Sequence, residues 1–167
     1  ELAMWARQQG TLPEVEKLAG WLSVGQHPGY YKPLLEVAAS HLRAGELAEA
    51  LPVFRWAYQA WQSAPNAAPG HRYDGAKLLA LWGDCFYRLQ QPDEAQRRWM
   101  WALAVVPDAE TLNRLARTIE KAGAAPACQA VLTEAHRRGL PGAQALWRRW
   151  QRLAQTQQPD PSDQPAP

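Results

Sequence analysis

Four histidines (His27, His41, His71 and His136) and two cysteines (Cys85 and Cys128) are the residues here whose types best suit nucleophilic or metal chemistry. Their spacing does not support it. No pair of histidines has the H-x3-H or H-E-x-x-H interval that places two imidazoles on one helix face. No C-x-x-C is present, and no Cys/His interval resembles a zinc site. His41 falls on the packed side of a helical pattern and reads as a core histidine; His27 and His71 read as turn residues, and His136 as facing out near a helix end. A Cys85 nucleophile needs a base that nothing in the local sequence supplies. Both cysteines sit inside helical patterns and read as buried thiols, although one disulfide between them would also fit. Asp93-Glu94 is an acid pair at a helix start, where the helix dipole favours carboxylates. There is no Gly-rich phosphate loop. The expectation is a chain with no catalytic residues, no metal and no cofactor.

Bulk composition narrows the partners. The chain has 167 residues, 47% hydrophobic and 20% charged, which is enough apolar material for one domain with a core. A net charge of +2 is too small to argue for nucleic acid or a membrane surface. No apolar run approaches the roughly 20 residues of a membrane span, and no signal-peptide pattern is seen. Nine tryptophans against two phenylalanines mean large side chains filling gaps between elements, a sticky surface, or both. The Ala, Pro, Trp and Gln bias reads as bacterial, and a soluble, cytoplasmic location is favoured over a periplasmic one. The chain opens at Glu1 in mid-pattern, which reads as a domain from a longer polypeptide.

The elements that would position these residues are helices. Apolar residues recur at helical spacing from end to end, broken by Gly10, Gly25–Gly29, Ala44-Gly45, Gly123–Pro126 and Gly139–Gly142. Thr11-Leu-Pro-Glu14 has the form of a capping box, and Asp108 that of an N-cap. Gln62–Asp74 is the least regular interior stretch, a loop or a helix extension followed by a loop. Gln157–Pro167 is Pro, Asp, Gln and Ser without an apolar anchor and reads as a disordered tail.

Within Ala76–Asp108 the spacing is Leu79-x2-Trp82-Gly83-x2-Phe86, then Ala95-x3-Trp99-x2-Ala102, then Pro107. The stretch before it matches with Leu34, Val37-Ala38, His41, Gly45, Ala50, Phe54 and Ala57. The stretch after it matches with Leu112, Leu115-Ala116, Ile119, Gly123, Cys128, Leu132 and Ala135. The interval from Ala50 to Ala95 is 45 residues and that from Ala95 to Cys128 is 33. This resembles the tetratricopeptide repeat, whose W-x2-L-G-x2-Y…A-x3-F…P pattern spans about 34 residues. Small residues let paired helices approach, and large ones fill the space between pairs, so neighbours must stack to bury their faces. The resemblance implies an all-α fold: a right-handed superhelix of antiparallel helix pairs, the α-solenoid. About three full repeats would lie near 31–64, 76–108 and 109–140, with an N-terminal partial repeat and a C-terminal capping helix, the domain covering 1–156 and the tail 157–167.

Family resemblance also implies where a ligand sits, namely in the concave groove lined by each repeat's first helix. The groove positions carried over are Lys32, Arg43, Lys77, Asp84, Tyr87, Arg88, Asn113, Arg117 and Lys121, with Leu35, Ala39, Leu42, Ala80, Glu110 and Glu120 beside them. Arg43, Arg88 and Lys121 occupy equivalent places and would form a basic ladder, suited to an acidic segment or a terminal carboxylate. Only Asn113 matches part of the family's chaperone-binding clamp, so that clamp is not expected. Trp56 and Trp101 are also equivalent, on the outer side of the second helices where the family usually carries a polar residue. They form a patch for a partner or a second copy, or they cover the seam between helices. Trp147 and Trp150 would close the end of the array. The functional expectation is a scaffold or adaptor that binds a protein or peptide. The alternative is a non-catalytic regulatory or substrate-recognition module of a larger, enzymatic polypeptide.

Overall fold

The computed structural model describes residues 31–64, 70–125 and 128–156. The N-terminal partial repeat, His27 and the 157–167 tail lie outside the described residues. Among these described residues seven helices follow one another: α1 (Tyr31–Ala44), α2 (Leu47–Ser63), α3 (His71–Arg88), α4 (Pro92–Val105), α5 (Ala109–Lys121), α6 (Gln129–Arg137) and α7 (Ala143–Thr156). No strand occurs among the described residues. The fold is all-α, and helix packing holds it together.

Four of the turns between helices repeat one backbone device, the one after α6 at Gly139 (φ 66°) and three that end α1, α3 and α5. At the end of α1, Gly45 N–H bonds Leu42 O and Glu46 N–H bonds His41 O. At the end of α3, Gln90 and Gln91 make the same pair of bonds to Tyr87 O and Phe86 O. At the end of α5, Gly123 and Ala124 make it to Glu120 O and Ile119 O. The residue at the bend is left-handed each time, with φ of 79° at Gly45, 60° at Gln90 and 73° at Gly123. This is the Schellman C-cap, and it satisfies carbonyls that the helix end would leave unpaired. Gln90 takes the left-handed conformation that Gly accepts without steric cost. The bends at 45, 90 and 123 recur at the same 45- and 33-residue intervals as the small residues of the sequence pattern.

Helix α3 begins at His71, five residues before the expected start at Ala76. Pro65, Pro69 and Gly70 mask its period in the sequence. His71 is therefore not a turn residue: it is buried at the first position of α3, stacked on Trp61 with ring centroids 5.1 Å apart. The intervening stretch is a helix extension followed by a connection, since α2 continues to Ser63. Pro52 is tolerated in the second turn of α2, where the carbonyl it cannot bond belongs to the exposed Ala48.

Helix α3 is the centre of the packing, with α2 and α4 against it and α1 and α5 beside it. Two glycines let its neighbours in. The indole of Trp61 (α2) lies over Gly75 and donates Nε1–H to His71 O at 2.8 Å. The indole of Trp99 (α4) lies over Gly83 and donates to Ala80 O at 3.0 Å. A Cβ at either glycine would overlap the indole. Trp99 is fully buried, so its N–H needs this internal acceptor. In the third pair, α6 is only nine residues long and packs on α4 and α7 rather than closely on α5.

Asp108 caps α5 as expected: its Oδ1 accepts from Thr111 N–H at 2.7 Å. Tyr73 Oη donates to its Oδ2 at 2.6 Å, and Arg72 donates to Val105 O at 2.7 Å. These contacts tie the first turn of α3 to the α4–α5 junction. Burial pushes the Asp108 carboxyl up, but the bonds from Tyr73 and Thr111 hold it below the usual carboxylate range. At the far end Trp150 is buried and Trp147 half-buried. Trp150 Nε1 and Arg149 Nη2 both donate to the Glu120 carboxylate, at 2.8 and 2.7 Å, which pins α7 to α5.

Candidate functional site

The first turns of α1 and α3 are joined. Asp74 Oδ2 accepts from Tyr31 Oη at 3.0 Å and lies 3.7 Å from Lys32 Nζ. Burial and that bond to Asp74 push the Tyr31 hydroxyl up to about 12. Above this junction the two helices enclose a cavity of about 770 Å³, bordered at its far end by the last residue of α5. Its wall on α1 is Lys32, Leu35, Glu36, Ala39, Leu42 and Arg43; on α3 it is Asp74, Lys77, Leu81, Asp84 and Arg88; Lys121 completes it. Both walls follow helical spacing: 77, 81, 84 and 88 form one stripe of α3, and 32, 35, 39 and 42–43 one stripe of α1.

Charge in this groove is unevenly committed. Asp84 is buried, and Arg88 grips it with two bonds, Nε to Oδ1 and Nη2 to Oδ2, both 3.0 Å. Such a bidentate pair fixes the guanidinium in one orientation. Arg43, Lys77 and Lys121 are exposed and have no ion-pair partner among the described residues. The floor between them is aliphatic, from the half-buried Ala39 and Leu81, with the buried Leu35 and Leu42 beneath. Three uncommitted cations over an apolar floor can hold an anionic group and an apolar side chain together.

Six of the expected groove residues (Lys32, Arg43, Lys77, Asp84, Arg88 and Lys121) border this one cavity. Three others do not. Tyr87 is half-buried, with its ring 6.1 Å from that of Trp99 and its hydroxyl donating to Gly123 O at 3.5 Å, so it is a packing residue. Asn113 and Arg117 are exposed on α5 away from the cavity, and Glu120 is taken up by α7. Glu36, Asp74 and Leu81 border the cavity but were not expected there. Leu81 completes the Lys77–Asp84–Arg88 stripe and was readable from it. Asp74 was hidden in the segment whose period the prolines obscure.

On the outer face, a cation is held by rings of the chain itself. The Arg98 guanidinium sits 4.4 Å from the Trp82 ring centroid, 4.6 Å from that of Trp101 and 5.1 Å from that of Phe86. Glu94 lies 3.3 Å from it. Tyr58 stacks on Trp101 at 6.3 Å and also reaches Trp61 and Trp82. Trp101 is 41% exposed, while Trp56 is partly buried against the core. Arg98 was not singled out from the sequence, although Arg98–Trp101 and Trp82–Phe86 are helical neighbours.

Cys85 and Cys128 are both free and buried. Burial, with some help from the Asp84 charge, pushes the Cys85 thiol up to about 11; burial alone pushes Cys128 up to about 12. At neutral pH both are protonated, the less nucleophilic form. His41 is buried, its Nδ1 2.6 Å from Glu46 Oε2. No group of three or more metal-ligating side chains converges among the described residues, and no described helix is long and apolar enough to cross a membrane. Set against protein-family models, curated proteins and solved structures, the chain matches none.

Proposed function

We propose that this chain is a non-catalytic scaffold of the tetratricopeptide-like α-solenoid kind, and that it holds an acidic protein or peptide segment in the groove between α1 and α3. The observation that carries this reading is the set of three uncommitted cations, Arg43, Lys77 and Lys121, around one aliphatic-floored cavity. The 45- and 33-residue spacing of the turns at Gly45, Gln90 and Gly123 supports the repeat reading; the same turn at Gly139 ends α6 outside that spacing. An extended acidic chain fits because carboxylates pair with the cations while an apolar side chain covers the leucines.

Binding of a short fluorescein-labelled peptide of Asp and Leu, followed by anisotropy, tests this. The native chain is expected to bind it with an affinity that falls as salt rises. The triple variant Arg43→Glu, Lys77→Glu, Lys121→Glu is expected to lose at least roughly tenfold, since each exposed pair contributes up to about 1 kcal/mol. Equal binding by the variant sinks the reading.

A further inference from the structure

The groove cations are spaced along the helices as well as across them. Lys32 and Arg43 are eleven residues apart on α1, and Lys77 and Arg88 are eleven apart on α3. Eleven residues are three helical turns, so each pair returns to the same face about 16 Å along the axis. The two helices run in the same direction. Lys32 and Tyr31 meet Asp74 at the first turns, and Arg43 and Arg88 border the same cavity at the last turns. Lys32 is paired with Asp74 and Arg88 with Asp84, so the groove has one unpaired cation, Lys77, towards the first turns and two, Arg43 and Lys121, towards the last, with Ala39 and Leu81 between them.

The far end divides its work. Asp84 already occupies both donor edges that Arg88 turns towards it, so an incoming carboxylate meets Arg43 and Lys121 first. Asp84 is also a fixed negative charge on the floor, only 9% exposed at its side chain. With Arg88 it makes a neutral pair, so the middle of the groove offers an incoming carboxylate no free cation. The pattern is free cations towards the two ends, and a neutral, partly apolar stretch in between.

Resting on the reading of the groove as an acidic-peptide site, we infer that its ligand is an extended segment lying along the α1 and α3 axes, with two acidic side chains about five residues apart and an aliphatic side chain between them. The separation follows because an extended chain advances about 3.3 Å per residue, so about five residues span the 16 Å between the basic ends. Acids placed closer together can satisfy one end only.

Four labelled peptides of equal length, titrated against the full chain, test the inference. One carries aspartates about five residues apart with a central Leu; one carries them two apart; one has the wide spacing with Ser for Leu; one has Asn for both Asp. The wide-spaced Leu peptide is expected to bind roughly tenfold tighter than the close-spaced one, a gain of one additional ion-paired end. Lys32→Glu with Lys77→Glu, and separately Arg43→Glu with Lys121→Glu, should each abolish that advantage. Equal affinity for the two spacings, with the Asn peptide weak, overturns this inference and leaves the acidic groove standing. If no aspartate peptide binds better than the Asn peptide, the acidic groove falls, and the spacing with it.

Discussion

On the α2–α4 face, Arg98 lies among Trp82, Phe86 and Trp101 with Glu94 at its edge, and Tyr58 stacks behind. On the α1–α3 face, Lys77 and Arg43 extend over leucines with no ion-pair partner among the described residues. Both faces set cations on an apolar bed. The outer face supplies the partners for its cation from within the chain, and the desolvated guanidinium gains cation–π contact that an exposed one would not. The groove leaves Arg43, Lys77 and Lys121 exposed and without an ion-pair partner among the described residues, beside the half-buried Ala39 and Leu81. Composition alone does not make a binding surface. What matters is whether the molecule has already used the groups itself, and by that measure the tryptophan-rich face is the less available of the two.

Truncating Trp82 to Ala should break the outer face most severely. Trp82 is buried and touches Tyr58, Phe86 and Arg98, so the loss is expected to be about 3–5 kcal/mol in urea unfolding, the range for deleting a large buried aromatic. A loss under roughly 1 kcal/mol would mean that the aromatic box is a surface ornament and not part of the core. The junction beneath the groove should be intermediate. Tyr31→Phe removes the bond to Asp74 and is expected to cost about 1–2 kcal/mol at neutral pH. It should also change the alkaline limb of stability. In the fold the Tyr31 hydroxyl keeps its proton up to about 12, whereas the unfolded chain releases it near 10. Between those values the unfolded state binds fewer protons, so the Tyr31 contribution is full below about pH 10 and is lost as pH climbs towards 12. Melting curves across that window should fall less steeply for Tyr31→Phe than for the native chain, with the buried thiols contributing equally to both. The smallest effect belongs to the groove cations. The triple variant Arg43→Glu, Lys77→Glu, Lys121→Glu is expected to unfold within about 0.5 kcal/mol of the native chain, because exposed, unpaired side chains contribute little to folding. A large destabilisation would show that the groove, too, is internally committed.

Helical periodicity carried most of the fold. Leu34, Leu79 and Leu112 recur on their helices, and the small residues beside them mark where neighbours approach. Asp108 was readable as a cap because its side chain acts on a backbone N–H only three residues away. The start of α3 was not readable, because Pro65, Pro69 and Gly70 read as breakers while the helix resumes directly after them. The groove stripe of α3 was legible as a period of Lys77, Asp84 and Arg88. The Asp84–Arg88 pairing, which removes Arg88 from the basic ladder, needed the rotamers. Arg98 escaped notice for a different reason. Its ring partners come from α3 and α4 together, and no local spacing joins residue 82 to residue 98.

Gly83 and Trp99 interlock so closely that neither can vary alone. Position 83 accepts a side chain only if the indole at position 99 gives way, and a smaller residue at 99 removes the second donor to the Ala80 carbonyl and leaves a void beneath Gly83. Any route by which this chain drifts in sequence must therefore change the two together, and single changes at either position are closed to it. The centre of the molecule is in that sense the least evolvable part, while the groove beside it, where Arg43, Lys77 and Lys121 have no ion-pair partner among the described residues, is freer to be re-specified.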